Sequence, residues 1–289
     1  MNEFQFDVRP PATAVREAVA RALAEDLTPL GDITSAVIHQ AHVGRANFVA
    51  RERGVLAGTD CATEVFAQLD PSIEVEWLVG DGDSIDAQQV LGVVSGTLRP
   101  VLTGERTALN FLCHLSGVAT MTNRLVVAAA GGARVWDTRK TIPGLRSLEK
   151  AAVRAGGGAN HRGNLSDWVL LKDNHLAAEP SVISRARQLW PGRTIHVECD
   201  SLDQVVRALD QGADALLLDN MEPDEVRKCV AMIDERAAGG ARPLVEASGG
   251  ITLENVAVYA KTGVDLLSTG SITMSAPSLD IGLDLDGSR

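Results

Sequence analysis

Aromatic and cysteine side chains are both scarce in this 289-residue chain, and each shortage excludes a class of protein. Aromatic residues make up 3% of the sequence and the formal net charge is −11. The chain therefore lacks the stacking platforms and the positive surface that nucleic-acid binding requires. The four cysteines form no CxxC pair, so the sequence predicts neither a zinc site nor a disulfide framework. We expect reduced and mostly buried thiols.

Long apolar runs and targeting signals are missing as well. The longest apolar run, residues 125–133, has about half the length of a helix that crosses a bilayer, so we expect no membrane partner. Near the N-terminus, Glu3 stands where a secretory signal peptide carries positive charge, and no long apolar stretch follows. We therefore expect a cytoplasmic protein.

Positive charge is concentrated in one segment. Between Glu105 and Lys172, ten Lys and Arg residues outnumber four acidic residues, so the rest of the chain carries a charge of −17. A basic segment in an acidic chain indicates a focused site for a small anion. The alternative is a set of solvated arginines, which charge counting alone leaves open.

Two patterns of hydrophobicity divide the chain. The first part begins with an amphipathic helix at residues 12–27. Its short alternating runs predict strands of a mostly antiparallel sheet at residues 45–51, 54–57, 73–79 and 90–98. Helices are expected at residues 61–69 and from Gly104 onward.

From about residue 115 onward, short apolar runs alternate with helical stretches, which is typical of parallel βα units. The runs are residues 133–136, 168–171, 194–197, 215–218, 243–245 and 265–267. A full (β/α)8 barrel takes about 250 residues, and about 160 remain here. We therefore predict an α/β protein with an N-terminal α/β sandwich domain (1–114) and an incomplete barrel of six or seven strands (115–274). The tail 275–289 is expected to pack on the first domain, and a doubly wound open sheet is the alternative to the barrel.

Charged residues of both signs follow the apolar runs of the second part. Lys140 and Lys172, two of only five lysines, come directly after such runs, as do Glu198 and Asp219. A barrel would direct all four into one mouth, because active sites of such folds lie at the carboxyl ends of the strands. Cations and carboxylates together suit a phosphorylated substrate whose charge is partly neutralised by Mg²⁺. Structural ion pairing among the four is the alternative.

Glycine-rich turns close the last two strands, at residues 248–250 and 269–271. In α/β barrels these positions commonly offer backbone N–H groups to a phosphate, although tight turns alone can also require glycine. A third glycine-rich loop, residues 156–162, ends in His161 and Arg162. With Arg139 across the mouth, this loop suits recognition of a carboxylate, whereas an isolated histidine is more often structural.

Several strings of residues together resemble the quinolinate phosphoribosyltransferase family. The main ones are DTRKTIPG (137–144), GGGANHR (156–162), LKDNH (171–175), LDN (218–220) and EASGG (246–250). Shorter matches are GDITS (31–35), ERTALN (105–110) and HLSG (114–117). They cover nearly the whole chain in the expected order, so the set is far more specific than any single string.

The resemblance implies both an architecture and a reaction. It implies an N-terminal α/β sandwich domain, an incomplete barrel, and a homodimer in which one subunit's N-terminal domain closes the other's barrel mouth. Whether dimers assemble further into hexamers is left open. The implied reaction joins quinolinate to phosphoribosyl pyrophosphate, gives nicotinate mononucleotide, pyrophosphate and CO2, requires Mg²⁺, and belongs to NAD biosynthesis.

The resemblance also assigns roles to residues. It implies that quinolinate is bound by Arg106 of the partner subunit together with Arg139, His161 and Arg162. The implied catalytic residues are Lys140, Lys172, Glu198 and Asp219, of which Glu198 and Asp219 would hold Mg²⁺ directly, through water or through ribose hydroxyls. The implied phosphate contacts are Thr138, Lys140, Lys172, Ser248, Gly249, Gly250, Gly270 and Ser271.

Two positions depart from the family pattern, and two other functions compete. Asn164 is the second residue after the His161-Arg162 pair, where the family often has glycine, and Ala151 stands where tyrosine is common. One competitor is a related transferase that uses nicotinate or another small aromatic acid, but the basic quartet favours a dicarboxylate. The other is a non-catalytic binding protein, which we would expect to lack Lys140, Glu198 or Asp219.

Overall fold

The computed structural model describes residues 8–179, 181–238 and 240–287. Residues 1–7, on which the expectation of a cytoplasmic protein rests, lie outside these ranges. The chain forms two compact units. The first contains the described residues up to Asn123, Thr141–Gly157 and the described residues from Ile272 onward, and the second contains Arg124–Lys140 and Gly158–Ser271. Within the described ranges, no helix is long and apolar enough to span a bilayer.

The N-terminal unit is an antiparallel sheet with helices. Its strands are β1 (Val43–Ala50), β2 (Gly54–Val55), β3 (Glu74–Trp77), β4 (Ser84–Ile85), β5 (Val90–Thr97) and β12 (Ile281–Leu285). Four of them form one sheet in the order β12-β1-β5-β3, and β2 pairs with β4. The helices are α1 (Ala12–Leu27), α2 (Thr59–Leu69), α3 (Leu98–Ala129) and α4 (Arg146–Ala155), with a short 3₁₀ turn at Ser35–Val37.

The scarce aromatic residues form the centre of this unit's core. Phe48 of β1 and Phe66 of α2 are fully buried. The Trp77 ring stacks on Phe48 with the ring centroids 4.9 Å apart. Each such side chain removes a large apolar area from water, so this cluster fixes the sheet against α2.

Three features of this unit differ from the sequence prediction. Residues 54–57 do not join the four-stranded sheet, because β2 pairs with β4 and its backbone is also held by α3. The N–H of Val55 donates to Thr120 Oγ1 (2.9 Å) and that of Ala57 to Ser116 Oγ (3.0 Å). Helix α3 starts six residues before Gly104, since Pro100 is tolerated in a first helical turn. The C-terminal strand β12 was not predicted as a strand, and it pairs with β1.

The boundary that the sequence placed after residue 114 falls inside a helix. Helix α3 runs without interruption across that position to Ala129, and the compact units divide after Asn123. A break in hydrophobic pattern marks where element types change, whereas a long helix can belong to both patterns.

The second unit is a parallel sheet with helical connections. Its strands are β6 (Arg134–Trp136), β7 (Val169–Leu171), β8 (Ile195–Cys199), β9 (Ala215–Asp219), β10 (Leu244–Ser248) and β11 (Leu266–Ser268). Its helices are α5 (Asp173–Ala178), α6 (Val182–Leu189), α7 (Leu202–Asp210), α8 (Pro223–Arg236) and α9 (Val256–Tyr259), and α10 (Ser271–Met274) begins at its last residue.

The order of the strands decides between the two predicted architectures. The sheet runs β6-β11-β10-β9-β8-β7, with every pair parallel. In a doubly wound sheet the order of the strands reverses at a switch point. Here β7 to β11 are neighbours in chain order, and β6, the first strand of the unit, lies beside β11, the last. A further parallel bridge joins Trp136 to Ala159 on the free side of β6. The prediction of an incomplete α/β barrel is therefore confirmed.

The cysteines are free thiols. Cys61, Cys199 and Cys229 are buried and Cys113 is half-buried. Burial is the main cause that raises the pKa of Cys61 and of Cys199 to about 12. These thiols are therefore protonated at neutral pH and have little nucleophilic character.

Candidate active site

The carboxyl ends of four neighbouring strands bring together three of the four predicted catalytic residues and one of the predicted phosphate contacts. Lys172 directly follows β7, and Glu198 lies near the end of β8. Asp219 ends β9, where the sheet register pairs it with Ser248 at the end of β10. Since these ends meet at one edge of the barrel, side chains far apart in the sequence share one mouth.

The closest contact in the mouth joins a cation to an anion. Nζ of Lys172 lies 2.5 Å from Oε2 of Glu198. Burial raises the pKa of Asp219, and the negative charge of Glu198 raises it further. The positive charges of Lys172 and Lys140 act on Asp219 in the opposite direction. The four predicted catalytic residues therefore form one interacting group of charges.

The glycine-rich turns lie against this group. Gly249 has a left-handed backbone (φ +87°), and a Cβ there would lie 2.1 Å from Oδ1 of Asn220, so only glycine fits. A Cβ on Gly270 would lie 2.9 Å from Cδ of Lys140, which shows how closely this backbone approaches the lysine. Thr138 is part of the same loop, because its Oγ1 accepts the N–H of Lys140 at 2.9 Å.

Thr269, which the sequence analysis did not single out, links the two turns. Its hydroxyl donates to the carbonyl of Ile251 at 3.1 Å and lies 3.0 Å from the Ser271 hydroxyl. The turns that end β10 and β11 are thus tied into one backbone surface. A buried threonine in a turn carries no distinctive pattern of its own, which is why the sequence did not reveal this link.

Two arginines form a second, cationic part of the site. Arg162 is buried and Arg139 is half-buried. Burial lowers the pKa of Arg162, and the positive charge of Arg139 lowers it further, while Asp167 opposes both. Two neighbouring guanidinium groups of this kind suit an anion with two negative groups.

The loop that carries Arg162 is held by buried carboxylates. Asp137, fully buried, accepts the N–H of His161 (2.8 Å) on Oδ1 and the side-chain amide of Asn160 (2.7 Å) on Oδ2. Nε2 of His161 lies 3.5 Å from Oε2 of Glu246, which is also fully buried. The sequence treated Glu246 as the polar end of its strand, but β10 continues to Ser248 and Glu246 lies inside the barrel.

His196 completes this buried layer. Its Nε2 lies 3.5 Å from the same Glu246 oxygen, and its ring stacks on that of His161 with the centroids 5.9 Å apart. Burial lowers the pKa of His196. Burial alone would raise the pKa of Glu246, but His161 and the charge of His196 outweigh that cause, so the pKa of this carboxyl lies below its ordinary value.

His161, His196 and Glu246 form this buried layer. Among the described residues they are the one group of three whose donor atoms lie close enough to hold a metal ion, within 4.8 Å of one another. Its hydrogen bonds do not fit that use. Nδ1 of His161 accepts the N–H of Arg162 at 2.9 Å, so in the neutral ring the proton is on Nε2, which then has no lone pair for a metal. Mg²⁺ in addition prefers oxygen ligands, as Glu198 and Asp219 offer.

Three positions from the sequence analysis lie outside this group. Arg106 is exposed on α3 in the N-terminal unit and is not among the residues that the barrel unit brings together. Ala151 is buried in α4 of the same unit. Asn164 is exposed in the barrel unit and accepts the N–H of Ser166 at 2.7 Å on its side chain, forming a local turn.

Comparison with known proteins agrees with this architecture. Residues 32–116 match the model of the quinolinate phosphoribosyl transferase N-terminal domain, and residues 118–284 match that of the C-terminal domain. The chain is 44% identical to the nicotinate-nucleotide pyrophosphorylase [carboxylating] of Mycobacterium leprae, covering 99% of this chain and 100% of the relative.

A plant relative and a solved structure extend the comparison. The quinolinate phosphoribosyltransferase [decarboxylating] 2b of Nicotiana tabacum is 36% identical over 97% of this chain and 86% of its own. The structure of the nicotinate-nucleotide pyrophosphorylase from Francisella tularensis matches with a TM-score of 0.90 and 37% identity, covering 99% of this chain and 100% of that one. The chain belongs to the quinolinate phosphoribosyltransferase family.

Proposed function

We propose that the mouth of the barrel unit transfers the phosphoribosyl group of phosphoribosyl pyrophosphate to quinolinate and releases pyrophosphate and CO2, leaving nicotinate mononucleotide. The observation that carries this assignment is the division of the site into two parts. Arg139 and Arg162 are a cationic pair, while Lys140, Lys172, Glu198 and Asp219 form a mixed group of charges. The first suits a dianionic aromatic acid, and the second suits a pyrophosphate attached to a ribose.

Quinolinate is held by the arginines. Each guanidinium presents parallel N–H groups that match a carboxylate in two-point contact. The two carboxylates of quinolinate are on adjacent ring carbons, so arginines that hold them leave the ring nitrogen free to react with the ribose. Because Arg162 is buried and Arg139 adds a second positive charge to it, the pocket gains most from a ligand that brings two negative charges.

Phosphoribosyl pyrophosphate is held by the mixed group and the turns. Lys140 and Lys172 contact the pyrophosphate, and Glu198 and Asp219 contact ribose hydroxyls. The 5′-phosphate accepts N–H groups from the two turns, with Thr138 beside them; these contacts are Ser248, Gly249, Gly250, Gly270 and Ser271. The support is the close approach of the Gly270 backbone to Lys140 and the hydroxyl links through Thr269.

Glu198 and Asp219 also fit the Mg²⁺ that the family's chemistry implies. They are oxygen donors, and Glu198 raises the pKa of Asp219, so a divalent cation would relieve a repulsion already present in the protein. When bound, Mg²⁺ supplies positive charge to the departing pyrophosphate. Lys140 and Lys172 supply the protein's own share of that charge.

Catalysis is positioning and electrostatics. The quinolinate nitrogen bonds to C1′ of the ribose while the C1′–O bond to pyrophosphate breaks, and the bonding electron pair leaves with pyrophosphate. Glu198 and Asp219 stabilise the positive charge that develops on the sugar, and the lysines stabilise the leaving group. The ribosylated ring is positive, so it accepts the electron pair released when the 2-carboxylate leaves as CO2, and the vacated carbon takes up a proton. No side chain is needed as a general base.

The oligomer and its compartment belong to the same proposal. The chain acts as a cytoplasmic homodimer, with Arg106 of one subunit reaching quinolinate in the other, and its exposed position on α3 supports that role. Mixing two inactive variants, Arg106→Ala and Lys140→Ala, tests it. Restored activity in mixed dimers is expected, and an Arg106→Ala homodimer with full activity would contradict the shared site.

The experiment for the reaction uses quinolinate labelled in its 2-carboxylate. The purified full-length chain is incubated with Mg²⁺ and phosphoribosyl pyrophosphate, and CO2 and nicotinate mononucleotide are measured together, with nicotinate as a parallel substrate. Equal amounts of the two products from quinolinate are expected. Product from nicotinate alone would assign the chain to a different transferase, and no product from either would indicate a binding protein.

A further inference from the structure

Both ring nitrogens of His161 face groups inside the protein. Nδ1 accepts the backbone N–H of Arg162 at 2.9 Å. Nε2 lies 3.5 Å from Oε2 of Glu246, an ion-pair distance that is slightly long for a strong hydrogen bond. The residue is only 7% exposed. A substrate group would therefore have to break the Nδ1 hydrogen bond or displace the Glu246 carboxylate to reach a ring nitrogen.

These contacts determine which ring nitrogen of His161 carries the proton. An Nδ1 that accepts a hydrogen bond carries no proton, so the ring's proton is on Nε2, facing the Glu246 carboxylate. In that form the imidazole has no net charge to offer a substrate carboxylate. The positive charge of the pocket then comes from Arg139 and Arg162 and not from His161.

The same contacts fix the backbone on both sides of His161. Its own N–H donates to Asp137 at 2.8 Å, and the next N–H, that of Arg162, donates to the His161 ring. The ring is held in turn by Glu246 and packed between Trp136 and Trp168, at centroid distances of 5.9 and 5.0 Å. A change at Glu246 would thus reach Arg162 through one imidazole.

We propose that Glu246 and His161 are a positioning pair for Arg162 and that His161 is not itself a ligand of the substrate. This rests on the proposed function, because the role of Arg162 is to bind a quinolinate carboxylate. Glu246 keeps the imidazole in the Nε2–H form, the imidazole fixes the backbone at Arg162, and the guanidinium is thereby held ready for its ligand. Partners of ligand residues commonly act in this way.

The kinetic test compares Glu246→Gln and His161→Gln with Glu149→Gln. Glu149 is a matched control, since it is also a fully buried carboxylate beside a histidine, His114, but lies in the N-terminal unit. We expect each variant at the pair to raise KM for quinolinate about tenfold with little change in KM for phosphoribosyl pyrophosphate. The double variant should raise KM for quinolinate no more than the worse single variant does, because both changes break the same chain of contacts.

A second measurement needs no variant and no turnover. Nitrogen NMR of the histidine rings in the wild-type chain should show His161 as the Nε2–H form, both free and with quinolinate bound. A His161 that gains a second proton when quinolinate binds would overturn the proposal, as would a Glu246→Gln variant with the kinetics of Glu149→Gln. If wild-type protein fails to turn over quinolinate, the proposed function fails, whereas the NMR signal still decides the state of His161.

Discussion

Nζ of Lys172 lies 2.5 Å from Oε2 of Glu198, at the carboxyl ends of neighbouring strands. The lysine side chain is 48% exposed and the carboxylate only 16%, so the lysine is the member of the pair that is open to solvent. In the proposed reaction, a pyrophosphate entering the mouth would meet a cation that a carboxylate already holds in place. The pair thus orients the lysine before the substrate arrives.

Replacing this lysine should slow the chemistry more than it weakens the fold. Lys172→Met removes the positive charge that would stabilise the departing pyrophosphate, and it leaves Glu198 without its partner. We therefore expect kcat to fall about 100-fold. The surface lysine variant Lys228→Met is the control, because Lys228 is exposed on α8. Steady-state kinetics of both variants decide the point, and equal kcat values would show that the pair is only structural.

A methyl group at Gly249 should disturb the phosphate turn. Gly249→Ala places a Cβ 2.1 Å from Asn220 Oδ1 at a backbone with φ +87°, so the turn must move. We expect KM for phosphoribosyl pyrophosphate to rise about tenfold, as ligands lose N–H donors that they need. Gly192→Ala is the control, since a Cβ there meets nothing within 4 Å. Unchanged KM in Gly249→Ala would argue that this turn does not bind phosphate.

Removal of divalent metal should stop turnover. Glu198 and Asp219 are oxygen donors whose mutual repulsion a divalent cation would relieve. Treatment with a chelator should abolish product formation, and added Mg²⁺ should restore it. Asp219→Asn should require more Mg²⁺ for half-maximal rate. Full activity in excess chelator would contradict the metal's role.

The stability of the N-terminal unit should depend on Asp32 in acid. Hydrogen bonds from the Ser35 side chain and backbone are the main cause that lowers the pKa of Asp32 to about 2. A carboxyl with a lowered folded pKa stabilises the fold above its unfolded pKa, near 3.8, and this stabilisation is lost as the pH falls toward 2. Asp32→Asn should therefore lower Tm by about 2 °C at neutral pH, and the difference should shrink below pH about 4. A constant difference across that range would contradict the assignment.

The parallel strands were predictable from the sequence because each contains a short, mostly apolar run that is bounded by polar residues. Each of the six short apolar runs corresponds to an observed strand, and the polar residues after the runs mark the edge where Lys172 and Asp219 lie. The motifs that resemble the quinolinate phosphoribosyltransferase family include the same positions. Physical pattern and resemblance therefore agree on which end of the barrel carries the chemistry.

The buried polar layer was not predictable in the same way. A charged residue inside an apolar run looks like the end of a strand, so Glu246 was placed at an edge although it lies fully buried within β10. Its partners His161 and His196 come from loops and strands far away in sequence. Only the order of the strands in the sheet brings them to one point, and nothing in the local sequence encodes that order.

Residues 54–57 were predicted as a strand, but the partners of β2 were not. Its backbone donors bond to the hydroxyls of Ser116 and Thr120 on α3, about sixty residues away. Alternation of hydrophobic residues signals a strand but not its partner. The pairing is determined by contacts that a local pattern does not record.

The central claim is that one part of the site binds the dicarboxylate and the other binds phosphoribosyl pyrophosphate. Equilibrium titration of Arg139→Ala and Lys140→Ala with each substrate separately tests it most directly. We predict that Arg139→Ala loses quinolinate binding but keeps phosphoribosyl pyrophosphate binding, and that Lys140→Ala does the reverse. Equal loss of both ligands in both variants, with the fold intact, would contradict the division of the site.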